Sequence, residues 1–98
     1  MLVKIHKSYR YVVSICDSDL INKKLQDEKL QLDLTGAFFK GEEKTKQETI
    51  DIIEDMRRED ATFNILGKES CNLALELSLI KSEGITHIND VPVSLVLL

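Results

Sequence analysis

The chain opens on alternation. From Leu2 to Lys7, Val3 and Ile5 share one side while Lys4 and His6 share the other, the period of a half-buried strand. Ser8, Tyr9 and Arg10 form a short connection, and the β-branched run Tyr11 to Cys16 is a second strand, so the two are expected as an antiparallel hairpin. Asp17 is an N-cap candidate for a short helix through Leu20, Ile21 and Leu25. Leu30 to Leu34 alternates cleanly as a strand. In Gly36 to Gly41, Phe38 and Phe39 cannot both face inward from extended backbone, so a turn that tucks both rings under the sheet is expected.

Thr45 and Glu48 stand at capping-box spacing. The helix they start carries Ile50, Ile53 and Met56 as an inward stripe, and Glu54 precedes Arg58 at the spacing of a helical ion pair. The stretch Ala61 to Ile80 holds the densest apolar run and is the organising element. Thr62 to Leu66 is a short strand with Phe63 and Ile65 inward, and a helix follows Gly67. That helix has one stripe through Ser70, Leu73, Leu77 and Ile80 and a second through Cys71, Leu75 and Leu79, as a helix covered on more than one side requires. Gly84 is its expected stop. Ile85 to Ile88 is a short extended piece, Asn89-Asp90 a turn, and Val93 to Leu98 a final strand.

These elements predict an α+β fold in a single domain over residues 1–98. The sheet is mixed or antiparallel with about three helices packed on it, in the order β-β-α-β-α-β-α-β-β. The expected core is Val3, Ile5, Val13, Ile15, Leu32, Leu34, Ile53, Leu73, Leu77, Ile80 and Val96.

Charge narrows the function classes. The net charge is −4. Residues 1–49 carry nine Lys or Arg against eight Asp or Glu, and residues 50–98 carry four against nine. An acidic chain lacks the field a duplex-DNA binder needs. A local basic patch remains in the first half, at Lys7, Arg10, Lys23 and Lys24, with Tyr9 and Tyr11 beside the first pair. Two cysteines make no disulfide framework, the N-terminus has no signal-peptide core, and no segment approaches the ~20 apolar residues of a membrane span. A cytoplasmic protein with reduced thiols and no membrane partner is expected.

Candidate chemistry is sparse. His6, Cys16, Cys71 and His87 have no metal-ligand spacing. In the expected hairpin His6 lies opposite Val12, about 13 Å of strand from Cys16. No metal and no cofactor is expected. Gly67-Lys68 fails as a phosphate loop, because Thr62 stands where the first glycine belongs and Glu69 where the hydroxyl belongs. A simpler anion site at the N-terminus of the helix after Gly67 is open to the protein's own carboxylate, Glu69. Cys16, at a strand-to-helix junction, is the nucleophile candidate. A site, if built, would draw on Cys16, Asp17, Asn64, Gly67, Lys68 and Glu69.

The run Val13 to Asp17, followed by Leu20 and Lys23-Lys24, then Phe38-Phe39-x-Gly41-Glu42, then Ala61 to Glu69 and on to Val91-Pro92, resembles an archaeal family catalogued as domain of unknown function 424. Seven residues, at four places, depart from its pattern. Asn22 replaces a glycine, Phe39 a tyrosine, Asn89-Asp90 a glycine pair, and Val93-Ser94-Leu95 a His-Ala-Gln run. The resemblance implies an archaeal cytoplasmic α+β protein and no particular reaction.

Three functions are open on these grounds. The first is a non-enzymatic interaction module with a protein or an RNA–protein assembly, such as the translation machinery, as partner. The second is a small enzyme or ligand binder using Cys16 and Asn64 to Glu69. The third is a homodimer paired through Val93–Leu98.

Overall fold

In the computed structural model, which describes residues 1–96, β1 (Leu2–Lys7) and β2 (Tyr11–Cys16) form the expected antiparallel hairpin, with Leu2 opposite Cys16 and His6 opposite Val12. β3 (Lys24–Gln26) and β4 (Gln31–Asp33) form a separate two-stranded ribbon. β5 (Glu42–Glu43) returns to pair with Leu2 and Val3 of β1. After α1 (Lys46–Arg58) come β6 (Thr62–Leu66), α2 (Lys68–Glu76), β7 (Thr86–Ile88) and β8 (Val91–Ser94). The main sheet runs β5-β1-β2-β6-β8-β7 and is mixed: β2 and β6 are parallel, and the other neighbours antiparallel. The radius of gyration is 12.5 Å, against about 13 Å for one domain of ~100 residues.

Both faces of the sheet are covered. Val13, Ile15, Phe63 and Ile65 pack with Val3 against Ile53 of α1 and Cys71, Leu73 and Ala74 of α2. On the other face Cys16 and Leu66 pack with Leu20, Leu25, Leu34, Phe39, Ile88 and Val93. The two central strands are therefore buried almost continuously, which explains why Tyr11 to Cys16 reads as an unbroken β-branched run rather than an alternation.

The capping box forms: Thr45 Oγ1 accepts from Glu48 N at 3.1 Å, and Glu48 Oε1 from Thr45 N at 2.9 Å. Ile53 is buried, with Ile50 and Met56 packed on the same cluster. The ion pairs fall one residue closer than expected, Glu54 with Arg57 and Asp55 with Arg58.

Among the described residues two α-helices stand where about three were expected. The segment after Asp17 makes only one 3-10 turn, Ser18–Leu20. Its chain is turned aside at Asn22 (φ 67°), where Asn22 N donates to Leu34 O and Leu34 N to Lys23 O, stitching it to the ribbon. Nor does α2 reach Gly84. It closes at Ser78 (φ 56°), where Ser78 N donates to Leu75 O and Leu79 N to Ala74 O. This is a Schellman end with Ser in the left-handed position usually held by Gly. α1 ends the same way at Asp60 (φ 55°), with Asp60 N donating to Arg57 O and Ala61 N to Met56 O.

Several core expectations also shift. Ile5 is 44% and Val96 45% exposed, and Leu32, Leu77 and Ile80 are half-buried. Ile5 has the inward phase but sits on β1 where that strand is the sheet's margin, so one side of it has no cover. Only one ring of the Phe pair tucks in: Phe39 is buried, whereas Phe38 is 43% exposed and stacks on His6 at 4.3 Å between centroids. The last strand among the described residues is β8, which ends at Ser94, and residues 97 and 98 of the Val93–Leu98 expectation lie outside the described residues. Within β8, Val93 is already paired on both sides, with Leu66 and with Thr86.

Candidate functional site

The parallel pairing of β2 with β6, Cys16 beside Leu66, brings the carboxyl ends of both strands to one place. The ladder continues one residue further, Asp17 N donating to Leu66 O at 2.9 Å. Beyond it the chain enters α2 through Gly67, and Gly67 N donates to Pro92 O at 2.9 Å. In open α/β sheets this crevice at the carboxyl ends of parallel strands is where ligands sit. Here a side chain of the protein fills it. Asp17 Oδ1 accepts from Ser70 N at 2.8 Å and from Ser70 Oγ at 2.7 Å, and Oδ2 accepts from Glu69 N at 3.1 Å.

Asp17 thus caps a helix 52 residues away. The free N–H groups at the start of α2 and its positive dipole end both meet this buried carboxylate. The expectation that Glu69 would satisfy that helix end is corrected: Glu69 contributes only its backbone N–H.

Gly67 makes the cap feasible. Its φ of 105° with ψ of 164° belongs to a region only glycine occupies readily. A Cβ there would also fall on the Asp17 carboxyl. The glycine after Phe38-Phe39 has a comparable role, since a Cβ on Gly41 would collide with the backbone carbonyl of Val3.

The other candidates separate. Cys16 is fully buried among Leu20, Leu25, Leu34 and Leu66, and its Sγ donates to Asp17 O at 3.3 Å. Burial, and then the Asp17 and Asp19 charges, push its thiol up to about 12. At neutral pH the thiolate that a nucleophile requires is then about one part in 10⁵. His6 is no base for it, because it faces Val12 and its Nε2 donates to Phe38 O at 3.0 Å. Asn64 lies on the sheet face opposite α2, where its Oδ1 accepts from Val96 N at 2.7 Å. Lys68 lines a cleft of about 210 Å³ with Asp17, Asp19, Gly67, Asp90 and Pro92. Glu69 lines a different one, of about 370 Å³, with Met1, Lys46 and Asn72. Asp17, Gly67 and Lys68 therefore come together with the backbone N–H of Glu69, while the side chains of Cys16, Asn64 and Glu69 do not join them.

Three residues of this junction were not anticipated: Ser70, Asp90 and Pro92. Ser70 stands three residues after Gly67, at capping distance from a helix start, and that spacing was the available signal. Cys71 and His87 also line one cleft, but burial and the Asp17 charge push the Cys71 thiol up to about 11. Among the described residues there is no group of three or more His, Cys, Asp or Glu able to hold a metal ion. No helix among them is long and apolar enough to cross a membrane.

The basic residues do not merge into one patch. Lys7 and Arg10 flank the β1–β2 turn, with Lys7 Nζ 5.4 Å from the Tyr11 ring centre and Glu59 and Asp60 nearby. Lys23 and Lys24 follow Cys16 at the other end of β2, about 16 Å of strand away.

A family model described as a protein of unknown function (DUF424) matches residues 6–97. The chain is also similar to the crystal structure of an uncharacterized conserved protein from Methanopyrus kandleri, with a TM-score of 0.81 at 22% sequence identity, over 94% of this chain and 85% of that one. At that identity the likeness concerns the fold. No curated protein matches. With the model spanning all but the first residues and the last, the chain belongs to the DUF424 family of proteins of unknown function.

Proposed function

We propose that this protein is a non-enzymatic interaction module of an archaeal cytoplasm, acting on a protein or an RNA–protein assembly such as the translation machinery. One observation carries the proposal. The place where family-pattern residues, a helix end and a buried carboxylate converge is consumed in closing the fold, because Asp17 spends both oxygens on α2. A catalytic carboxylate would keep an oxygen for substrate, and a catalytic thiol would be accessible and acidic. Neither property belongs to Asp17 or Cys16. What faces solvent is of another kind: the Phe38 ring stacked on His6, the fully exposed Tyr9, and lysines around the hairpin.

The test is cross-linking of the tagged protein in cells, followed by sedimentation and identification of what is bound. A recurrent partner set that co-sediments with large particles, and dissociates with salt if RNA is held, is the expected result. A protein that sediments alone as a monomer and captures nothing contradicts the proposal. The enzyme reading built on Cys16 would return if Cys16→Ala abolished a turnover while the fold survived.

A further inference from the structure

The margin of the sheet at β1 is incomplete. Met1 and Lys44 exchange backbone hydrogen bonds, Lys44 N to Met1 O at 2.8 Å and the Met1 amino group to Lys44 O at 3.2 Å. The alternation of an antiparallel ladder then turns the N–H and C=O of Val3, Ile5 and Lys7 to this outer side. β5 pairs only as far as Val3. There Gly41 presses against the Val3 carbonyl, and the chain before it leaves the sheet plane because Phe39 is buried in the cluster on the opposite face. Ile5 and Lys7 are left with outward backbone groups that no strand among the described residues pairs.

Beside that edge lies a cleft of about 530 Å³, lined by Val3, Ile5, Ile52 and Gly41 with Lys40 and Lys44 at its rim. Ile5 belongs by register to the helix-covered face, opposite Val13, yet is 44% exposed. Next to it Ile52 of α1 is half-buried. The site thus offers both parts of strand-addition recognition: unpaired backbone for affinity, and an apolar recess for every second side chain.

Charge selects the occupant. Lys4, Lys40 and Lys44 surround the cleft with Glu42 as the opposing carboxylate, and Glu42 is held by Lys44 at 3.1 Å. In an acidic protein this is a locally positive margin. A second copy pairing along β1 would bring this lysine-bearing margin up against its own duplicate, and like charges brought together across a strand pair destabilise it. An acidic strand meets the opposite field.

We propose that the outer edge of β1 at Ile5 and Lys7 is the docking site for an extended acidic peptide segment. The segment adds as a further strand beyond the end of β5 and seats an apolar side chain against Ile5 and Ile52. This rests on the interaction-module reading and names its partner class and place.

The test selects binders from a random decapeptide display library on the intact protein, then titrates synthetic copies of the recovered peptides into wild type and variants. Lys7→Pro removes one outward N–H and no bond of the β1–β2 ladder, a position where edge proline is tolerated. Lys7→Ala is its control, and Ile5→Lys blocks the recess should the proline variant fail to fold. Recovered peptides rich in Asp and Glu around an apolar residue, binding weakened about tenfold or more by Ile5→Lys and, by Lys7→Pro, about tenfold beyond the loss in Lys7→Ala, which removes the side-chain charge alone, and β1 amide shifts on titration, are the expected outcome. Peptides without acidic character, or binding indifferent to both variants, overturn the edge site while leaving the module reading standing. Self-association abolished by Lys7→Pro assigns the edge to a second copy, and β1 shifts with a uridine oligonucleotide but no peptide assign it to RNA; each overturns the proposal. An empty selection overturns it as well, and with an empty cellular cross-link the module reading falls too.

Discussion

The carboxylate of Asp17 occupies the space that a side chain on Gly67 would need. Fifty residues apart in sequence, the two form one device: the glycine keeps its Cβ-sized gap open, and the carboxylate fills it while capping α2. Gly67→Ala should therefore fail twice. It forces a non-glycine residue to φ 105°, at a cost of order 1–3 kcal/mol, and it displaces the cap, at a further ~1–2 kcal/mol. Urea unfolding should show a loss of about 3 kcal/mol or more. A loss below about 1 kcal/mol would mean that the backbone there relaxes freely.

The left-handed residues other than glycine predict the opposite sign. Asn22, Ser78 and Asn89 all have positive φ, where an L side chain costs up to ~1–2 kcal/mol and glycine almost none. The greater unfolded-state freedom of glycine offsets part of that gain. Asn22→Gly, Ser78→Gly and Asn89→Gly should each raise stability by roughly 0.5 kcal/mol, read as a higher urea midpoint. Asn89 and Asp90 form the two-residue β7–β8 turn in which both residues are left-handed. Two of these sites, at 22 and 89, are where the family pattern has glycine. A fall in midpoint on all three replacements would contradict this account of the helix and strand ends.

The buried thiols set an alkaline limit. Cys16 is pushed up to about 12 and Cys71 to about 11, from 9.0. Above pH 9 the unfolded chain releases these protons while the folded one retains them. Stability that is whole below pH 9 is thus lost as pH rises toward 11, by about 1.4 kcal/mol per pH unit per thiol. Urea midpoints of wild type between pH 8.5 and pH 10.5 should fall more steeply than those of Cys16→Ala/Cys71→Ala, whose baseline is lower but flatter. Equal slopes would contradict the burial of the thiols, as would rapid modification of either by a disulfide reagent at neutral pH.

Local patterns were legible in the sequence, and long-range ones were not. The hairpin register, with His6 opposite Val12, follows from a period of two and a short turn. The Thr45–Glu48 capping box lies within four residues. Strand β6 was foreseen from the phase of Phe63 and Ile65, though not that it would be central. In contrast, the cap on α2 comes from Asp17, 53 residues before its partner Ser70, and local spacing carries no trace of that distance. It is for this reason that Asp17 read as the start of its own helix. The ends of α1 and α2 were hidden because Asp60 and Ser78 do the work usually marked by glycine. Ile5 shows a further limit: alternation identifies which face a residue takes, not how far the cover over that face extends. The candidate site was half visible. Gly67, Lys68 and Asp17 converge as expected, Asp17 and Gly67 being positions of the family pattern, but Cys16 faces Leu side chains and Asn64 lies across the sheet.

Asp17 and Ser70 together provide the most direct check of the claim that this junction closes the fold and carries no chemistry. The measurement is a double-mutant cycle in urea, with Asp17→Ala, Ser70→Ala and the pair. Asp17→Ala alone leaves the Ser70 hydroxyl and two helix N–H groups unpaired and should cost about 2–3 kcal/mol. The account predicts a coupling of about 1–2 kcal/mol between the two residues, with partner capture in cells retained by every variant that remains folded. Costs that add to within about 0.3 kcal/mol, or a folded Asp17→Ala protein that has lost its partners or a turnover, would contradict it and return the junction to function.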